Sequence, residues 1–160
     1  MNLDKTIKLI IVFLLGFLSA NIIGLYYVYG YEIPFSFNTS DNLETPSDFI
    51  KERQIEVYDD KIVLNIKGAS LARYAPTGSM EPVLDENSNG IRIVPISEEE
   101  VNVGDIISFK KDGYLVVHRV IFKGTDNDGV YFITKGDNSS IADGKVRFDE
   151  IEYLTIGVIW

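Results

Sequence analysis

The sequence contains no cysteine. That excludes a disulfide framework, a thiol nucleophile and a thiolate metal site, and it leaves the compartment open. Histidine is almost as scarce, with His118 alone. A zinc site built on it would need carboxylates for most of its ligands, so neither a metal nor another cofactor is expected. No cluster of lysine and arginine stands out against a formal net charge of −9, which argues against nucleic acid as a partner. The chain has no internal repeat and no low-complexity tract.

What the sequence does have begins with a long apolar run. Residues 9–29, "LIIVFLLGFLSANIIGLYYVY", carry no charge, and about 20 such residues suffice to cross a bilayer as a helix. Ser19 and Asn21 are its only clearly polar members, and Tyr26, Tyr27, Tyr29 and Tyr31 gather at its C-terminal end, where an aromatic belt meets the headgroups. A cleaved signal peptide would show a shorter apolar core followed by small residues. The run is therefore read as a retained transmembrane helix with the lipid bilayer as a partner. Lys5 and Lys8 precede it and a mostly acidic stretch from Glu32 to Glu56 follows. The positive-inside tendency then puts residues 1–8 in the cytoplasm and the rest of a single-pass protein outside the cell membrane.

Residues 30–56 are rich in Ser, Thr, Asn, Asp and Pro and read as a connector, with room for one short amphipathic helical turn near 46–54. From residue 57 the texture changes. "IEVYDDKIVLNI" has two apolar runs around Asp59-Asp60, "GIRIVPI" alternates, and "DIISFKKDGYLVVHRVIF" reads as strand, Asp112-Gly113 turn, strand. "GVYFITK" and "EYLTIGVIW" are further β-branched and aromatic runs. Short strands with hardly a helical period among them predict a β domain over about 57–160.

Few residues can carry chemistry. His118 lies in the apolar strand "YLVVHRVIF"; a packed core histidine is the ordinary reading, yet its titration range suits a base near neutral pH. Ser79 sits in "RYAPTGSMEPVLD" behind Gly78, where glycine permits a backbone turn closed to other residues and leaves the hydroxyl approachable. A serine satisfying a turn is the plainer alternative. Asp137 in "GDN" and Asp143 in "ADG" are ordinary turn residues taken singly. Lys110, Lys111 and Lys135 are other bases in principle, but each would need its pKa lowered by burial. Asn38 and Asn138 fit the N-glycosylation acceptor pattern.

The order of the blocks "GSMEP", "VGDIISF", "VVHRV", "ITKGDN" and a downstream Asp-Gly resembles signal peptidase I in its archaeal and endoplasmic-reticulum form. The likeness covers about residues 70–160 and the N-terminal anchor. Where bacterial members use a lysine base, this chain has His118. The resemblance implies a fold of coiled antiparallel sheets and a membrane-anchored serine endopeptidase. Its substrates would be signal-peptide-bearing preproteins cut after small residues, and it would associate with the secretion translocon. It further implies Ser79 as nucleophile and His118 as general base, with Asp143 or Asp137 orienting the imidazole. Many relatives have a serine two residues before the nucleophile; here Thr77 keeps the hydroxyl, and with the backbone N–H of Ser79 it is the expected oxyanion donor. Met80 is expected as exposed apolar surface facing substrate or membrane. Two other classes fit parts of the sequence: a non-catalytic tethered β domain binding an extracytoplasmic partner, and a self-cleaving protease of the repressor type. The latter pairs serine with lysine and is soluble, so the apolar run and His118 speak against it.

Overall fold

The computed structural model describes residues 3–29 and 43–160, and within the first of these stretches the side chains of residues 5–21. The chain divides into two compact units, Met1–Asp41 and Asn42–Trp160. In the first, one helix, α1 (Leu3–Tyr29), runs for 27 residues. Leu9, Phe13 and Phe17 are among its many exposed apolar side chains. Ser19 and Asn21, the polar residues of its apolar run, bond back to its own carbonyls, Ser19 Oγ to Gly16 O at 2.9 Å and Asn21 Nδ2 to Phe17 O at 2.7 Å. Among the described residues, no helix is long and apolar enough to cross a membrane. The apolar run expected over 9–29 continues past residue 21 into side chains that lie outside the described ones. The tyrosine belt and Asn38 lie outside them as well.

The second unit is built from strands. β1 (Ile55–Val57) and β2 (Ile62–Leu64) form a small antiparallel hairpin around Asp59-Asp60. Seven more strands make one sheet: β3 (Ser70–Arg73), β4 (Asn89–Ile93), β5 (Ile106–Lys111), β6 (Tyr114–Asp126), β7 (Gly129–Lys135), β8 (Ala142–Val146) and β9 (Ile151–Ile159). Their order across the sheet is β3-β4-β9-β5-β6-β7-β8, and every neighbouring pair is antiparallel. The mainly β, antiparallel reading of the sequence is borne out. The helical turn anticipated near 46–54 shrinks to one 3-10 turn, Glu52–Gln54.

Local chemistry explains the pairing that matters most for the site. Asp112 and Gly113 both take positive φ, 52° and 83°, the two-residue turn whose twist matches that of the flanking strands. It sets Ile107 opposite His118 and Lys111 opposite Tyr114. Because successive strand residues point to opposite faces, β5 serves two clusters. Ile107 and Phe109 join the main core with Val120, Phe132 and Leu154, whereas Ile106 packs with Met80 and Leu84. Register shifts interrupt β5–β9, β6–β7 and β7–β8; such bulges bend strands and increase local twist.

Candidate active site

β6 presents His118 to the same side as Phe109, whose ring lies 6.4 Å from the imidazole, tilted by 59°. The histidine is not sealed in apolar surroundings. Its Nδ1 lies 2.5 Å from Oδ2 of Asp143, and both side chains are nearly buried, at 15% and 10% exposure. The same Oδ2 accepts a hydrogen bond from Thr134 Oγ1 at 2.8 Å, and Lys111 Nζ donates to Oδ1 at 2.7 Å. Burial pushes the Asp143 carboxyl up. The hydrogen bonds from Lys111, His118 and Thr134 outweigh it and hold the carboxyl below the usual carboxylate range.

Asp137 is elsewhere. Its carboxylate is taken by the fork of Arg119, Nε to Oδ1 at 2.8 Å and Nη2 to Oδ2 at 2.7 Å, with 1% of the aspartate and 5% of the arginine side chain exposed. Arg119 also donates to Gly104 O at 2.8 Å. Of the two aspartates that the sequence left as alternatives, Asp143 is the one in contact with the imidazole.

Ser79 follows Gly78, whose φ of 70° is in the left-handed region that glycine enters without a Cβ penalty. The serine loop is held against the "GDN" turn by two bonds: Asn138 N donates to Ser79 O at 2.9 Å, and Asn138 Nδ2 donates to Gly78 O at 3.1 Å. Gly136 marks where the elements converge. A Cβ there would stand 2.5 Å from Ser79 O, 3.1 Å from His118 Nε2 and 3.2 Å from Ser79 Cβ. Serine and imidazole thus border one small space, kept open by a missing side chain. The Ser79 hydroxyl is paired with Thr77, Oγ to Oγ1 at 3.2 Å, and Ser79 N donates to the same Oγ1 at 3.4 Å. Thr77, Ser79, His118 and Asp143 therefore form one neighbourhood.

Met80 is a correction. It was expected as exposed apolar surface, but it is only 5% exposed and packs with Leu84 and Ile106. The turn that lifts Ser79 drives the next side chain down into the smaller core, so the methionine anchors the loop from below. Asn138 is what the sequence reading missed as a site residue, having been noted only as a glycosylation acceptor; its place in "GDN" was the available signal. Lys110 and Lys111 face acidic partners, Glu152 and Asp143. These raise both lysine pKa values, the reverse of what a lysine base requires. Beside Gly78 an open concavity of about 250 Å³ is lined by Pro76, Glu81, Asp85, Glu86 and Asn87; its carboxylates favour cationic groups. Among the described residues no group of three or more acidic, histidine or cysteine side chains is arranged to hold a metal ion.

No family model matches the chain. Curated relatives do. The chain is 36% identical to the signal peptidase complex catalytic subunit SEC11C of Homo sapiens over 70 residues, 42% of this chain and 36% of that protein. It is 32% identical to the signal peptidase complex catalytic subunit SEC11 of Candida tropicalis over 80 residues, 49% of this chain and 47% of the relative. Signal peptidase I W of Bacillus subtilis is 37% identical over 76 residues, 46% of this chain and 40% of its own length. The likeness to signal peptidases read from the motifs is borne out, and the matched region spans between about a third and a half of the length of these relatives.

Proposed function

We propose that this chain is a membrane-anchored serine endopeptidase that removes N-terminal signal peptides from exported preproteins, cutting after small residues. One observation carries the reading: a carboxylate held on Nδ1 of the only histidine, whose Nε2 borders the same small space as Ser79. Signal peptidases among the curated relatives supply the reaction class.

In this mechanism the Ser79 hydroxyl turns from Thr77 toward Nε2 by rotation about χ1, as catalytic hydrogen bonds often align only with substrate bound. As Oγ attacks the scissile carbonyl, Nε2 takes its proton, and the imidazolium that forms is stabilised by Asp143. The tetrahedral oxyanion is met by the N–H of Ser79 and the hydroxyl of Thr77. Its collapse breaks the C–N bond, His118 returns the proton to the leaving amine, and water then hydrolyses the acyl-enzyme by the same route.

The domain scheme goes with this reading. Residues 1–8 are cytoplasmic, 9–29 cross the membrane, 30–56 connect, and 57–160 form the catalytic domain outside the cytoplasm. Ser19 and Asn21, which satisfy their polar groups on the helix's own carbonyls, suit a hydrocarbon environment, where no water is available to do so. The proposed partners are preproteins, the bilayer and the secretion translocon. The experiment is to incubate the full-length protein in detergent with a preprotein and sequence the new N-terminus. Cleavage after a small residue beyond an apolar stretch is expected from the parent, and none from folded Ser79→Ala or His118→Ala. Processing by either variant at more than a small fraction of the parent rate would overturn the assignment.

A further inference from the structure

The carboxylate that orients His118 is itself oriented, and by a group the reaction scheme above does not use. Asp143 sits on β8, one of the two edge strands of the sheet, where backbone pairing comes from β7 alone. Oδ2 is occupied by His118 and Thr134, and Oδ1 by Lys111. Lys111 is the last residue of β5 and belongs to the alternating set 107, 109, 111 that faces the histidine side. The Asp112-Gly113 turn reverses the chain directly after it. Lys110, one residue earlier, points to the opposite face and pairs with Glu152.

We propose that Lys111 is a positioning residue for the Asp143–His118 pair: its ammonium holds Oδ1 so that Oδ2 stays on the imidazole, and its charge sets the pH at which the pair offers a neutral base. This inference rests on the function proposed above. The carboxylate is nearly buried, and one of its oxygens would be left without a protein donor if Lys111 were removed. A cation two contacts from the imidazole also opposes protonation of the pair. The charged groups that act on this trio are Lys111 from β5, Asp112 from the turn, His118 from β6 and Asp143 from β8; β7 contributes the neutral Thr134. Arg119, next to His118, faces away into its pair with Asp137. Because Asp143 and His118 share a hydrogen bond, the acid limb of activity belongs to the pair as a unit. The Lys111 side chain is 44% exposed, so salt screens its charge in part.

The single histidine makes the test direct, since an NMR titration of imidazole resonances in the full chain in micelles reports one site. With Lys111→Met, the titration midpoint of the pair and the acid limb of kcat/KM are both expected to move up by about half a pH unit to one unit. Cleavage then falls by up to about threefold to tenfold on the acid side of the midpoint and changes little well above it. Lys111→Arg should restore both readouts, and Lys110→Met, which removes the same charge one residue away, should move neither. Added salt should raise the parent's midpoint and leave that of Lys111→Met nearly still. A midpoint that stays put or falls in Lys111→Met overturns the inference, as does failure of the arginine variant to restore it. The parent's own activity separates the two readings. A parent that cleaves no preprotein defeats the proposed function, while a parent that cleaves with an unmoved midpoint in the methionine variant defeats only the role of Lys111.

Discussion

The imidazole of His118 meets the carboxylate of Asp143 at 2.5 Å, although the two residues lie on β6 and β8 with all of β7 between them. Thr134 of β7 bridges the gap by donating to the same carboxylate oxygen. The other aspartate, Asp137, is locked in a bidentate pair with Arg119. One carboxylate serves a ring nitrogen, and the other neutralises a buried guanidinium.

That division separates two variants that look alike on paper. Asp143→Asn keeps the shape and loses the charge that stabilises the imidazolium, so turnover should fall by roughly 10³–10⁴ with a small change in stability. Asp137→Asn leaves the Arg119 charge buried without its counter-charge, which costs about 3–5 kcal/mol. It should show first as a lowered urea midpoint. Urea unfolding beside preprotein turnover tells them apart. Retained turnover in Asp143→Asn, together with a folded but inactive Asp137→Asn, would exchange their roles.

Hairpins were the legible part of this chain. Alternation and the Asp112-Gly113 signal mark β5 and β6 because the turn's φ values, 52° and 83°, suit only a few residue types. β8 was not legible. "ADGKV" has little β propensity, and it becomes a strand through its register with β7, Phe132 opposite Val146 and Ile133 opposite Lys145. Asp143 therefore reads as a turn residue, and the sequence favours it over Asp137 as the partner of His118 only because Asp137 in "GDN" has a tight turn to shape. The Arg119–Asp137 pair was hidden for a related reason: two polar residues 18 positions apart become buried partners only once β6 and β7 are in register. Met80 misled because an apolar residue beside an accessible serine suggests a greasy surface, whereas the turn sends neighbouring side chains in opposite directions.

Gly136 tests the shared space itself. A methyl group there would meet the carbonyl of Ser79 at 2.5 Å, and that carbonyl is pinned by Asn138 N. The serine loop must shift or the imidazole must tilt. A displacement on the order of 1 Å between nucleophile and base can cost about 10² in rate, and the overpacking costs about 1–3 kcal/mol of stability. Gly136→Ala should therefore cut turnover by about a hundredfold or more while remaining folded in buffer, as followed by preprotein cleavage and circular dichroism. Turnover within a few-fold of the parent would mean that serine and histidine do not work across this gap.

Thr77 carries the last prediction. Acyl transfer needs donors aimed where negative charge develops on the carbonyl oxygen, and the proposed mechanism makes the N–H of Ser79 one of them. In the resting arrangement that N–H donates to Thr77 Oγ1 at 3.4 Å, and the same oxygen lies 3.2 Å from Ser79 Oγ. Both contacts are long, so in the proposed reaction little free energy is lost when the serine side chain turns to its base and the threonine hydroxyl is released to donate to the substrate oxygen beside that N–H. Thr77→Val keeps the β-branched shape and removes only the hydroxyl. Loss of one such donor lowers turnover by roughly 10²–10³, with a far smaller effect on KM because the donor acts mainly on the transition state. Thr77→Ser should stay close to the parent. Steady-state cleavage of a preprotein series reads both constants. A valine variant with nearly parental turnover would return Thr77 to the status of a turn residue whose hydroxyl merely satisfies the Ser79 amide.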